Sequence, residues 1–144
     1  MKKLLIIIFL FIFNQSLAVD RDFVPVATVN GEIYLLDLGS IKSGDKKEIK
    51  YIQLISFSKK QTTENGKKFL SVQMYMKARC NAKMVRPYIL QYYDVRMDDG
   101  DTMKGNVVRS AKFGGDWFKP NEGTAYHIVL EEACKFMSIK NKIQ

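Results

Sequence analysis

The sequence predicts an α+β domain: a single antiparallel sheet of about five or six strands, with a C-terminal helix packed on it and tied by a disulfide. Three observations carry that expectation. Short apolar or alternating segments are separated by turn clusters over most of the chain, and their connections are too short for parallel crossovers. Only one stretch, Thr124 to Met137, repeats its apolar residues at helical spacing. Two cysteines, Cys80 and Cys134, fall on the apolar face of a strand and on the apolar stripe of that helix.

The N-terminus reads as an export signal. Lys2 and Lys3 precede an unbroken apolar run, Leu4 to Phe13, and Ser16 and Ala18 are the small residues that signal peptidase reads. Residues 1–18 are therefore expected to be removed, leaving residues 19–144 as one domain. The run is about half the ~20 residues needed to span a bilayer, so no transmembrane segment is expected after cleavage. No cysteine follows it before Cys80, so no lipid acceptor is expected either. The formal charge of +8 falls to about +6 when the two signal lysines leave. That charge suits acidic partners, but export disfavours nucleic acid.

Phe23 to Thr28 is the first strand candidate, and Pro25 assigns it to an edge. Asn30 and Gly31 signal a hairpin leading into Glu32 to Asp37. Gly39 to Lys47 reads as a polar loop. Ile49 to Phe57 alternates, with Gln53 interrupting its apolar face. Lys59 to Lys68 reads as a long hairpin loop around Asn65 and Gly66. Phe69 to Arg79 places Leu70, Val72, Met74, Met76 and Ala78 on one face, and the same period puts Cys80 there. Tyr88 to Met97 is the next strand, the acidic turn Asp98 to Asp101 follows, and a strand near Thr102 to Ala111 ends the sheet. In the helix, Tyr126, Leu130, Ala133, Cys134 and Met137 share a stripe, with Asn121 or Thr124 as cap. Lys140 to Gln144 reads as a frayed tail.

In an exported chain two cysteines most simply form one disulfide. The alternative is a catalytic thiol. It would need a base, and His127, the single histidine, lies seven positions before Cys134, two helical turns away. The sequence carries no Ser-His-Asp signature, CxxC pair, zinc spacing or phosphate-binding loop, so no enzyme activity, cofactor or metal is expected. The carboxylates of Asp98 to Asp101 do not fit a calcium loop: with Gly100 at the sixth position, Val95 and Met97 fall where acids are required. Lys59, Lys60, Lys67 and Lys68 bracket one hairpin and form the candidate partner-binding patch, suited to a protein or sulfated glycan on host surfaces.

Gly31, Ile33, Tyr34, Asp37, Ser40 and Ile41, then Cys80, Tyr93, Asp94, Gly100, Trp117, Pro120 and the terminal Ala133, Cys134 and Lys135, form a diffuse pattern from Glu32 to Lys135. Through these residues the chain resembles the surface-adhesin protein E family of Gram-negative bacteria. The resemblance implies the same sheet and disulfide-attached helix, in the periplasm or on the outer cell surface. It also implies adhesion to host matrix or plasma proteins such as laminin, vitronectin or plasminogen. The rival reading is a periplasmic accessory or inhibitor module, for example of a basic host lysozyme, for which the Asp98 to Asp101 turn is the one acidic element available.

Overall fold

A computed structural model describes residues 21–144. The proposed signal, residues 1–18, lies outside that range. Six strands follow one another in space as they do in sequence: β1 (Phe23–Val29), β2 (Glu32–Ser43), β3 (Ile49–Thr62), β4 (Lys68–Arg79), β5 (Met84–Tyr93) and β6 (Val107–Lys112). Every neighbouring pair is antiparallel. The helix α1 (Ala125–Ile143) crosses one face and packs on β1, β2 and β3.

Local chemistry explains the meander. Asn30 and Gly31 both take positive φ, 52° and 78°, as a two-residue hairpin requires, and this fixes the pairing of Val29 with Glu32. β1 is an edge strand, where a proline is tolerated: Pro25 keeps its place opposite Leu35, and the register slips at the next residue, Val26, before Ala27 pairs with Tyr34. Thr124 caps the helix by accepting a hydrogen bond from the His127 amide, and Lys140 and Lys142 complement the dipole in its last turn.

Five boundaries differ from the sequence expectation, the last strand among them: β6 begins at Val107 and not near Thr102, because residues 94–106 form the loop that folds back after β5. The supposed loop from Gly39 belongs to β2, which a bulge between Asp37 and Lys42 carries on to Ser43. The supposed hairpin loop from Lys59 shrinks to residues 63–67, because another irregularity lets β3 run to Thr62 and pair with Lys68. β5 begins at Met84 and ends at Tyr93, so Asp94 to Met97 leave the sheet. The helix continues past Met137 to Ile143 instead of fraying at Lys140, whose ammonium reaches the Ile41 carbonyl at 3.4 Å.

The main core lies between sheet and helix. Val129, Leu130, Ala133 and Met137 meet Leu36, Tyr51, Ile55, Met74 and Met76, and complete burial of one such side chain is worth about 1.5–3 kcal/mol. Gln53, the interruption in the alternating segment, faces this core and donates to the Met74 sulfur at 3.3 Å. Cys80 and Cys134 are bonded, with their Cα atoms 5.8 Å apart, so both cysteines are structural.

The opposite face is divided. Over one half, the segment after β5 folds back and inserts Met97 among Leu35, Leu54 and Tyr93. Polar latches hold it: the Ser71 hydroxyl donates to the Val95 carbonyl at 2.7 Å, and Ser56 accepts from the Met97 amide at 3.1 Å. Ser56 also donates to Asp98, which pairs with Arg96 at 3.0 Å. The other half of this face stays open.

The latch makes a testable contribution at low pH. Burial acts to raise the Asp98 pKa, but the Ser56 hydroxyl and the Arg96 guanidinium outweigh it, and the carboxyl sits below its ordinary value of 3.8. With the folded pKa below the unfolded one, its stabilisation is complete above the unfolded value and disappears as pH falls through the folded one. Urea midpoints measured from pH 5 to 2 should fall less steeply for Asp98→Asn than for wild type. Asp94 and Asp99 are shifted the same way and keep part of the slope.

Candidate functional site

Two basic surfaces stand out. The first is the predicted patch. Lys59 and Lys60 lie on the end of β3, Lys67 in the turn and Lys68 at the start of β4, all exposed on one hairpin tip. The tip is ordered: the Thr63 hydroxyl accepts from the Lys67 amide at 3.0 Å, and the Lys68 ammonium donates to Thr62 at 2.8 Å. Glu64 on the same turn reaches Arg109 of β6 at 3.9 Å. The structure thus gathers the four lysines on one projection.

The second surface is on the open half of the helix-free face, and strand register builds it. Lys42 of β2 pairs with Lys50 of β3, Lys50 with Lys77 of β4, and Lys77 with Arg86 of β5. Directly paired residues share a face, so four cations stand in one row across four adjacent strands. At ~4.8 Å between strands the row spans roughly 14 Å. Among the described residues none of the four forms an ion pair.

Beside the row runs a cleft of about 360 Å³, lined by Arg21, Asp37, Lys42, Lys50, Tyr75 and Tyr88 among others. The Tyr75 and Tyr88 rings meet edge to face with centroids 6.1 Å apart, and the Lys77 ammonium lies 5.6 Å from the Tyr88 ring centre. Burial, and after it the neighbouring Tyr75, raises the Tyr88 pKa, so its hydroxyl remains a donor at physiological pH. Arg21 donates to the Tyr75 hydroxyl at 3.4 Å. Asp37, the cleft's carboxylate, already accepts from the Asp22 and Gly39 amides at 3.2 and 3.1 Å. The electrostatics of the cleft are therefore cationic, with aromatic walls.

Sequence reasoning missed this row because its members are single cations on four different strands. Paired lysines are visible in a linear sequence, whereas the row exists only once register is known.

The other candidates resolve into structure. The Asp98 to Asp101 turn spends its charges internally: Asp98 on Ser56 and Arg96, Asp99 on Lys104, and Asp101 on the Met103 amide. His127 is largely buried, with Nε2 3.5 Å from Glu131 one turn along the helix. Trp117 lies beneath the Arg79 guanidinium, 4.1 Å from its ring, and Arg79 in turn pairs with the buried Glu48 at 2.9 Å. Among the described residues no His, Cys, Asp and Glu cluster could hold a metal ion, and no helix is long and apolar enough to cross a membrane.

Comparison with known proteins agrees with this architecture. Two structures of Haemophilus influenzae protein E superpose on the chain. The first, crystal form II, does so with a TM-score of 0.53 at 14% identity, covering 77% of this chain and 92% of that one. The second gives 0.51 at 15% identity, covering 80% and 92%. At such identity the likeness establishes the fold. No curated protein matches by sequence. The model of the family described as surface-adhesin protein E matches residues 23–135, from the first strand through Cys134 and Lys135, and the chain therefore belongs to the surface-adhesin protein E family.

Proposed function

We infer that the protein works outside the cytoplasm as a non-enzymatic adhesin, attaching the cell surface to a host matrix or plasma protein such as laminin, vitronectin or plasminogen. Membership of a surface-adhesin family across residues 23–135 is the observation that carries this reading. The hairpin of Lys59, Lys60, Lys67 and Lys68 supplies a projecting cationic element that would steer an acidic protein segment onto that end of the two central strands. The inhibitor reading loses support, since a basic lysozyme would find the acidic turn already neutralised by Arg96 and Lys104.

Two measurements test the proposal. Protease shaving of intact cells should remove the mature chain; protection until the outer membrane is opened would overturn direct adhesion. Immobilised laminin, vitronectin and plasminogen should include at least one that binds the purified protein above a size-matched basic control. Replacing the four hairpin lysines by Gln should lower that binding about fivefold or more, mainly through the association rate and mainly at low salt. Unchanged binding would remove the hairpin from the site while leaving the adhesin role intact.

A further inference from the structure

The row of Lys42, Lys50, Lys77 and Arg86 is difficult to explain as packing. Like charges directly opposite one another in a sheet are destabilising, and here three successive cross-strand pairs repeat the same sign. Lysines on a sheet edge deter edge-to-edge pairing, but Lys50 and Lys77 sit on β3 and β4, the two central strands. Solvation of an open face does not require a single sign either, because mixed charges serve that purpose at lower cost. Retention of the row against its own repulsion points to a polyanion that completes it.

We propose that this row, with the adjoining Tyr75 and Tyr88, is a binding site for a sulfated polysaccharide. The site is linear, its charges recur at strand spacing over roughly 14 Å, and it lies on a surface broad enough for an extended chain. Sulfate oxygens would accept from the ammonium and guanidinium groups, and pyranose rings would lie against the tyrosine rings bordering the cleft. A folded protein partner would instead need a desolvated apolar anchor at the centre, which a row of four cations does not provide. A second copy of this chain applied through the same face would set cation against cation. The site also stands apart from the lysine hairpin, since Lys50 and Lys60 lie ten positions apart on β3, about 30 Å. The proposal rests on the outward location inferred above, because sulfated chains belong to host surfaces.

The test measures binding of a heparin dodecasaccharide by the full mature chain. Unsulfated heparosan of equal length and polyglutamate serve as probes of carboxylate-only and acidic-peptide recognition. Wild type should bind heparin at least tenfold more tightly than either probe. Lys50→Gln with Lys77→Gln should weaken heparin binding about tenfold and reduce the slope of log affinity against log salt by about 1–2, as expected when two counterion-releasing contacts are lost. Lys59→Gln with Lys60→Gln should change it less than twofold. Thermal melting of the row variant at or above the wild-type midpoint would assign the loss to the site and not to unfolding. Equal losses in both double variants, an unaffected row variant, or polyglutamate bound as tightly as heparin would each overturn the proposal. Binding to immobilised matrix proteins, measured on the same samples, separates the two readings. Its retention without heparin binding removes only the glycan site, and its absence with row-dependent heparin binding removes only the protein-adhesion role.

Discussion

Replacing Cys80 and Cys134 together by Ala is expected to lower the free energy of unfolding by about 4 kcal/mol, the chain-entropy value for a closed loop of this length. The bond joins residues 54 apart in the sequence. It ties the end of β4 to the middle of α1, while α1 itself packs on β1, β2 and β3, at the other side of the sheet. Without the bond, the ordering of residues 81–133 in the folded state is opposed by a much larger unfolded ensemble. A domain of this size has about 5–15 kcal/mol in total, so the loss is a large fraction of it. A fall in melting temperature of roughly 10–20 °C should follow. Circular dichroism melts of the double variant, and of wild type with and without dithiothreitol, measure it. The double change is needed because a single one leaves a reactive thiol. A decrease below about 1 kcal/mol would mean that Val129, Leu130, Ala133 and Met137 hold the helix in place by burial alone.

That bond was legible in the linear sequence for two reasons. Export places the chain in an oxidising compartment, and both cysteines carry the periodicity of their own element. The helix stripe was legible for the same reason: Leu130, Ala133 and Met137 are all buried as their spacing requires. Period-2 alternation located β4 through Val72, Met74, Met76 and Ala78. It failed at Phe69, which a strand irregularity turns into contact with Phe57 and Tyr92.

What could not be read depends on register. Bulges between Asp37 and Lys42, and between Ser56 and Gln61, turn polar loop-like sequence into strand. A polar segment gives no periodic signal when partner strands, and not burial, hold it extended. The cation row has the same origin. Lys42, Lys50, Lys77 and Arg86 look unremarkable at their separate positions, and only three pairings make them neighbours. The hairpin lysines, adjacent in sequence, were visible at once, so linear reading favoured clusters that are local over clusters that are assembled.

The second large effect concerns two methionines in one loop. Met97→Ala is expected to cost about 2–5 kcal/mol, whereas Met103→Ala should remain within about 0.5 kcal/mol. Their side chains are 0% and 91% exposed. Met97 is the plug that brings the segment after β5 down onto Leu35, Leu54 and Tyr93, and its removal leaves a cavity on a sheet face that no helix covers. The surrounding backbone cannot collapse easily to fill it. Gly100, at φ +78°, already lies so close to Phe23 that an added Cβ would stand 2.4 Å from the Phe23 Cβ. A Cβ on Gly105 would stand 2.7 Å from Val95 and 2.8 Å from Met97 itself. Urea denaturation of the two variants, with amide exchange over residues 94–106, measures both stability and closure of the loop. A small loss for Met97→Ala with protection retained would mean that the Ser56, Ser71 and Asp98 hydrogen bonds hold the loop without it. A loss equal to the expected value with exchange accelerated only in this segment would show local release. Acceleration across β2 and β3 as well would show that half of the helix-free face is a second core on which the central strands depend.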